Sequence, residues 1–204
     1  RWEACAEDGS CSESFEVDRL GVTIRKMVII TPNDITYIDS ELSDAEKFVK
    51  GALEVYRVRY HSNDCVLKIA YPRDNWGVRH IENEWEVLDR AKRVSGITHG
   101  IKKYDCVFGS AILKEYFEGD MLYESVSSSV RHQLEKTVED LHFLGIFNLN
   151  INGENTILSP SKRRAKIIDL GHCDIYSEDY GAISPDMFSN GKKRDLYDLG
   201  LLFG

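Results

Sequence analysis

The sequence has no apolar run near the ~18 residues that a membrane-crossing helix requires, so no membrane span is expected. It also lacks a basic excess. Its 26 Lys and Arg stand against 34 Asp and Glu, a net charge of −8. That balance argues against sequence-independent nucleic-acid binding, which depends on neutralising phosphates. The one basic cluster, Lys162-Arg163-Arg164, reads as a solvated turn. Five cysteines occur without CxxC spacing or a matched histidine pair, so no zinc site is expected. Cys5 and Cys11 flank a polar Glu-Asp-Gly-Ser segment. They either close a small disulfide loop in an oxidising compartment or stay reduced, which leaves cytosol and secretory pathway both open. The chain opens on Arg1 rather than Met, as after removal of a signal peptide or an upstream region. Internal repeats and low-complexity tracts are missing too.

What is present is enough apolar content, 42% of 204 residues, for one or two closely joined lobes with a real core. Residues 1–21 read as a polar N-terminal arm. The β-branched run from Val22 to Ile30, the turn Thr31-Pro32-Asn33-Asp34 and Ile35-Thr36-Tyr37-Ile38 predict a hairpin. Ser43 with Glu46 fits a capping box that opens a short helix. Strands are expected at Val55–Tyr60 and Cys65–Ala70, then a helix over Gly77–Arg93 with Val78, Ile81, Trp85 and Leu88 on one face. Two further strands, near Ile101–Val107 and Ala111–Phe117, complete a β-rich unit over 22–117. From Glu118-Gly119-Asp120, a hinge, the character turns helical. Val130, Leu134, Val138 and Leu141 mark one helix face, and Gly145 marks its end. Short strands flank Ser159-Pro160-Ser161-Lys162, and a last helix is expected at about Arg194–Phe203. The expected class is α+β, in two lobes that meet near 117/118.

Two places carry chemistry. Glu84 shares its helix face with Ile81, Val87 and Leu88, so a carboxylate points toward apolar surroundings and needs a cation or donors. Lys68, inside Val66-Leu67-Lys68-Ile69-Ala70, has the converse need. The second place runs from Leu141 through Asn148-Leu149-Asn150 to Asn155, followed one hairpin later by Ile167-Ile168-Asp169-Leu170-Gly171. An asparagine in a tight loop and an aspartate at a strand end suit a shared hard cation bound through oxygen.

In this order, over roughly residues 48–204, these blocks resemble the eukaryotic protein-kinase family. The resemblance implies a bilobal kinase-like fold with a shortened C-lobe. It makes Lys68 the lysine on the α/β-phosphates and Glu84 its helix partner. It sets Gly51 and Val55 in the phosphate-covering loop and the strand after it. Glu115-Tyr116-Phe117 resembles the adenine hinge, with Asp120 near the ribose. Asn155 and Asp169 become the Mg2+ ligands. Ser184-Pro185-Asp186 is similar to the motif closing the activation segment, and Asp195-Leu196-Tyr197-Asp198-Leu199-Gly200 resembles the start of the long C-lobe helix. ATP and Mg2+ are the implied cofactors, and a protein is the implied partner or substrate.

The sequence departs from that pattern where the chemistry occurs. Asn148-Leu149-Asn150 stands at His-Arg-Asp, so Asn150 replaces the catalytic aspartate and offers no carboxylate base. Losing such a base typically removes about 10²–10⁴-fold in rate. Asn152 replaces a lysine that helps the γ-phosphate, and Leu149 replaces the arginine that answers a phosphorylated loop. Lys50-Gly51-Ala52-Leu53-Glu54-Val55 keeps one glycine where the family has three, and the Glu54 carboxylate is expected to repel phosphate. Lys114 occupies the normally apolar gatekeeper position and must find a carboxylate or reach outward. His142 reads as a packed helix-end histidine, and His172 as a residue near the cleft. Tyr176 and Tyr180 read as surface tyrosines of a loop. Three readings follow: a pseudokinase that binds ATP–Mg2+ and serves interaction or regulation, an active minimal kinase or other ATP-dependent transferase, and a structural interaction module without nucleotide.

Overall fold

A computed structural model describes residues 15–17, 23–25, 31–50, 53–72, 74–106, 109–123, 125–177 and 183–203. Phe15–Val17 (β1) pairs antiparallel with Thr23–Arg25 (β2), so the first hairpin begins inside the expected arm. The hairpin expected over 22–38 is therefore displaced. Pro32–Tyr37 forms a 3-10 helix, because the Asp34 carboxylate accepts from both the Thr31 N–H and its hydroxyl, at 2.7 and 2.6 Å. This local cap outcompetes extension.

Leu42–Lys50 (β3), Glu54–Tyr60 (β4) and Asn63–Ala70 (β5) follow. The helix expected from Ser43 and Glu46 is corrected to strand β3. Its backbone pairs along β4, with Glu46 opposite Arg57 and Lys47 opposite Tyr56, and such long-range pairing overrides a weak local cap signal. Asn75–Arg90 (α1) is opened by Asp74, whose side chain accepts from the Gly77 N–H at 2.9 Å. Gly100–Cys106 (β6) and Gly109–Glu115 (β7) complete a five-stranded antiparallel sheet in the order β3-β4-β5-β7-β6.

Asp120–Met121 (β8) leads to Ser128–Phe143 (α2), then Ile146–Phe147 (β9), Thr156–Leu158 (β10), Ala165–Ile167 (β11) and Asp174–Ile175 (β12). β8, β10 and β11 form one small sheet, and β9 pairs with β12. The last helix, Pro185–Leu202 (α3), starts nine residues before the expected Arg194. Ser184 caps it by accepting from the Met187 N–H at 3.2 Å, and Pro185 suits the first turn, where no N–H is needed.

The chain is thus α+β. The period of two along β5 and β7 divides their side chains between two packed regions. Cys65, Leu67 and Ile69 join Ala111 and Leu113 on the face that meets Ile35, Leu42, Tyr56, Val58 and Tyr104. Lys68, Ala70, Ile112 and Lys114 occupy the opposite positions of the pleat, with Ala70 and Ile112 packed into a second core with Ile81 and Leu88 of α1. That core continues through α2 and the small strands to Leu199 of α3. Among the described residues, no helix is long and apolar enough to cross a membrane.

Candidate functional site

Lys68 and Lys114 lie on adjacent strands, with Lys68 opposite Ile112 and Lys114 opposite Val66. They are diagonal neighbours, and both ammonium groups turn to the one acidic side chain that α1 sends inward. Glu84 is fully buried. Lys68 Nζ donates to Glu84 Oε2 at 2.7 Å, and Lys114 Nζ to Oε1 at 2.5 Å. Lys114 therefore meets its need for a carboxylate inside the site. It also donates to the Ile168 carbonyl.

Asp169 completes the cluster from the end of β11. Its Oδ1 lies 3.0 Å from Lys68 Nζ, 3.2 Å from His80 Nε2 and 3.3 Å from the Gly171 N–H, which donates to it. With an ionised carboxylate as partner, Nε2 is the imidazole nitrogen that carries the proton. Two ammonium groups and two carboxylates thus balance one another. Burial alone would push the Glu84 carboxyl up, but the charges of Lys114 and Lys68 hold it below its ordinary value. Burial likewise opposes ionisation of Asp169, yet His80, Lys68 and Lys114 together hold that carboxyl well below the carboxylate range. Burial pushes Lys68 down, and Glu84 with Asp169 outweighs it, so its value is raised. For Lys114, burial and the neighbouring Lys68 prevail over Glu84, and its value is lowered.

His80, Glu84 and Asp169 also have the ligand atoms of a metal site. A cation there would share its carboxylates with two ammonium groups, an electrostatically poor arrangement. The Mg2+ pair implied by the family resemblance is a different set. The Asn155 carbonyl accepts from the Ile168 N–H at 2.9 Å, so Asn155 lies across the β10–β11 hairpin end from Asp169. Its side-chain Nδ2 donates to the Asn150 carbonyl at 3.1 Å, which leaves the amide oxygen as the end with coordinating lone pairs. Carboxylate and amide oxygens are the donors that Mg2+ takes, so these two residues fit the ion.

Asn150 sits exposed in a left-handed conformation, φ 51°, and Asn148 shares that region at φ 55°. Their loop is held from below. Asp195, fully buried on α3, accepts from the Leu149 N–H at 2.7 Å and lies 2.8 Å from His142 Nε2. Leu149 itself is fully buried in the core, and His142 has a satisfied ring nitrogen. Asn152 spends its side-chain oxygen on the N–H groups of Glu154 and Asn155, at 2.9 and 3.0 Å, and so shapes the turn.

The remaining sequence candidates spread over the sheet edge and the connection after it. Gly51 lies outside the described residues, as do Cys5, Cys11 and Tyr180. Val55 is half-buried directly opposite Lys68. Glu54 is paired with Lys47, so its charge is compensated within the sheet. Leu53 lies against the start of α1, where a Cβ on Gly77 would come 2.9 Å from Leu53 Cδ2. Glu115 is tied to Lys166 at 2.7 Å, and Lys166 also stands 5.5 Å from the Phe117 ring centroid. Asp120 is exposed on β8, opposite Leu158. His172 is exposed beside Trp76, with ring centroids 5.6 Å apart. The Tyr176 ring stacks on Phe188 at 4.8 Å rather than standing free on a loop. Two open depressions, of about 790 and 450 Å³, flank Glu115–Glu118.

Sequence reasoning missed two members of the site, His80 and Asn83. His80 lies one turn before both Asn83 and Glu84, and the signal that points to them is a polar residue at spacings of three and four on a helix whose other inward side chains are apolar. Arg57 is a smaller omission, since its guanidinium covers the Tyr116 ring at 4.7 Å while pairing with Asp64. No family model matches this chain, and no curated protein matches it.

Proposed function

We propose that the chain is a kinase-like bilobal module with a shortened C-lobe that holds ATP–Mg2+ without transferring phosphate, and acts through interaction or regulation of a protein partner. The observation that carries this reading is the convergence of Lys68, Glu84 and Asp169, with Lys68 at 2.7 Å from one carboxylate and 3.0 Å from the other. A strand lysine, a helix glutamate and a strand-end aspartate meet there in the order the kinase family uses.

In this reading Lys68 holds the α/β-phosphates, Asn155 and Asp169 hold Mg2+, and the hinge residues Glu115 and Phe117 face adenine. Bound ATP would supply a transferable phosphoryl group. Asn150 stands where a base should accept the acceptor's proton, and an amide cannot do so. Asp169 is a poor substitute, because its hydrogen bond with His80 and the charges of Lys68 and Lys114 hold its carboxyl well below the usual carboxylate range. That argues against the reading as an active minimal transferase.

A second reading, an interaction module without nucleotide, is favoured by Lys114. This extra cation neutralises Glu84 together with Lys68, so the buried charges balance within the chain. Thermal unfolding with and without ATP–Mg2+ separates the two. Nucleotide at ~100 times its dissociation constant should stabilise by about 2.7 kcal/mol, and Asp169→Ala should abolish that shift. No shift in the unaltered, folded chain would leave the nucleotide-free module.

A further inference from the structure

The segment 168–173, irregular between β11 and β12, has three of its backbone carbonyls taken by side chains of α1 and β7. The Ile168 carbonyl takes Lys114, and the carbonyls of Gly171 and Cys173 both take one atom, Asn83 Nδ2, at 3.0 and 2.7 Å. One turn earlier, His80 meets Asp169, and one residue later Glu84 holds the lysine that also reaches Asp169. A primary amide nitrogen carries two N–H donors in one plane, so a single asparagine can bind two carbonyls that a bend brings together. Half-buried carbonyls in irregular chain need such donors. The fit is close, because a Cβ on Gly171 would lie 2.1 Å from His80 Nε2.

From this geometry we infer that Asn83 is a positioning residue that locks α1 onto the segment after Asp169. It keeps Asp169 on Lys68 whether or not nucleotide is bound and without modification of the loop that follows. By this inference the hydrogen bonds from His80 and Asn83 set the site in one assembled state, and α1 with residues 169–173 forms a surface of constant shape. The functional meaning rests on the kinase-like reading, whereas the lock itself stands on hydrogen bonds alone.

Amide hydrogen exchange tests it. In the unaltered chain without nucleotide, the amides of 169–175 should be protected. Both Asn83→Ala and Asn83→Asp, the latter of equal size but without N–H donors, should speed their exchange by about tenfold or more. The amides of β4, β5 and β7 should keep their rates, and Trp76 emission, taken as the difference from Trp76→Phe, should shift as His172 leaves its ring. Near-unprotected exchange of 169–175 in the unaltered chain would overturn the lock, a result that needs no variant. So would unchanged rates in both variants, or a uniform rise across the protein, which marks a merely structural role. Detection of phosphoryl transfer would defeat the pseudokinase reading and leave this result standing.

Discussion

Lys114 Nζ lies 2.5 Å from one carboxylate oxygen of Glu84, while Lys68 holds the other at 2.7 Å. A buried carboxylate shared by two lysines behaves differently from a simple pair, and the difference is measurable.

With two cations on Glu84, either can be lost at limited cost. Lys68→Met leaves Lys114, and Lys114→Met leaves Lys68, so each should cost about 1–2 kcal/mol. The double variant strips a fully buried carboxylate of both cations, and an uncompensated buried charge costs about 3–5 kcal/mol. Urea unfolding of the four proteins should therefore show a double-variant loss that exceeds the summed single losses by about 1 kcal/mol or more. Simple additivity would contradict the shared arrangement.

Asp195 is the corresponding keystone under the Asn150 loop. Asp195→Ala orphans the buried Leu149 N–H and removes the partner of His142. Unfolding experiments should show a loss of about 2–4 kcal/mol. A loss below about 1 kcal/mol would show that the loop is held by other means.

Acid should act on the two depressed carboxyls. A folded pKa below the unfolded one contributes stability that is present above the unfolded value and lost as pH falls through the folded one. Glu84 and Asp169 both follow this direction. The urea midpoint should therefore fall as pH drops below about 4. Lys68→Met weakens the cause of the depression, so its midpoint should fall less steeply. Equal slopes in both proteins would count against the ion pairing.

Gly171→Ala probes the packing after Asp169. The added methyl would meet the His80 ring, and overpacking of this kind costs about 1–3 kcal/mol. The imidazole should move off Asp169, with a change in Trp76 emission, since the Trp76 and His80 rings lie 5.1 Å apart. Unchanged emission and stability would show that the segment relaxes freely.

Much of the charged site was legible in the sequence, because a lysine inside an apolar strand and a glutamate on an apolar helix face each declare a missing partner. Lys114 declared the same need, and pleat alternation puts it on the Lys68 face, although its partner became visible only in three dimensions. Helical spacing marks His80 and Asn83, but their roles were not legible, because their partners, Asp169 and the carbonyls of Gly171 and Cys173, lie some 90 residues away. The fold misreadings have separate causes. The Thr31–Asp34 cap competes with extension, the β3–β4 pairing overrides the Ser43–Glu46 signal, and Ser184-Pro185, which resembles a family motif, is also a helix start. The pairing of β3 along β4 decides the second case, and it depends on contacts that a local pattern does not contain.

On the proposed reading, the Lys68–Glu84–Asp169 site does not transfer phosphate. The most direct measurement is transfer of labelled phosphate from ATP–Mg2+ to candidate proteins and to the chain itself, beside an Asp169→Ala control. Equal, background-level signals from the two proteins are predicted. Transfer by the unaltered chain clearly above that control would contradict the account.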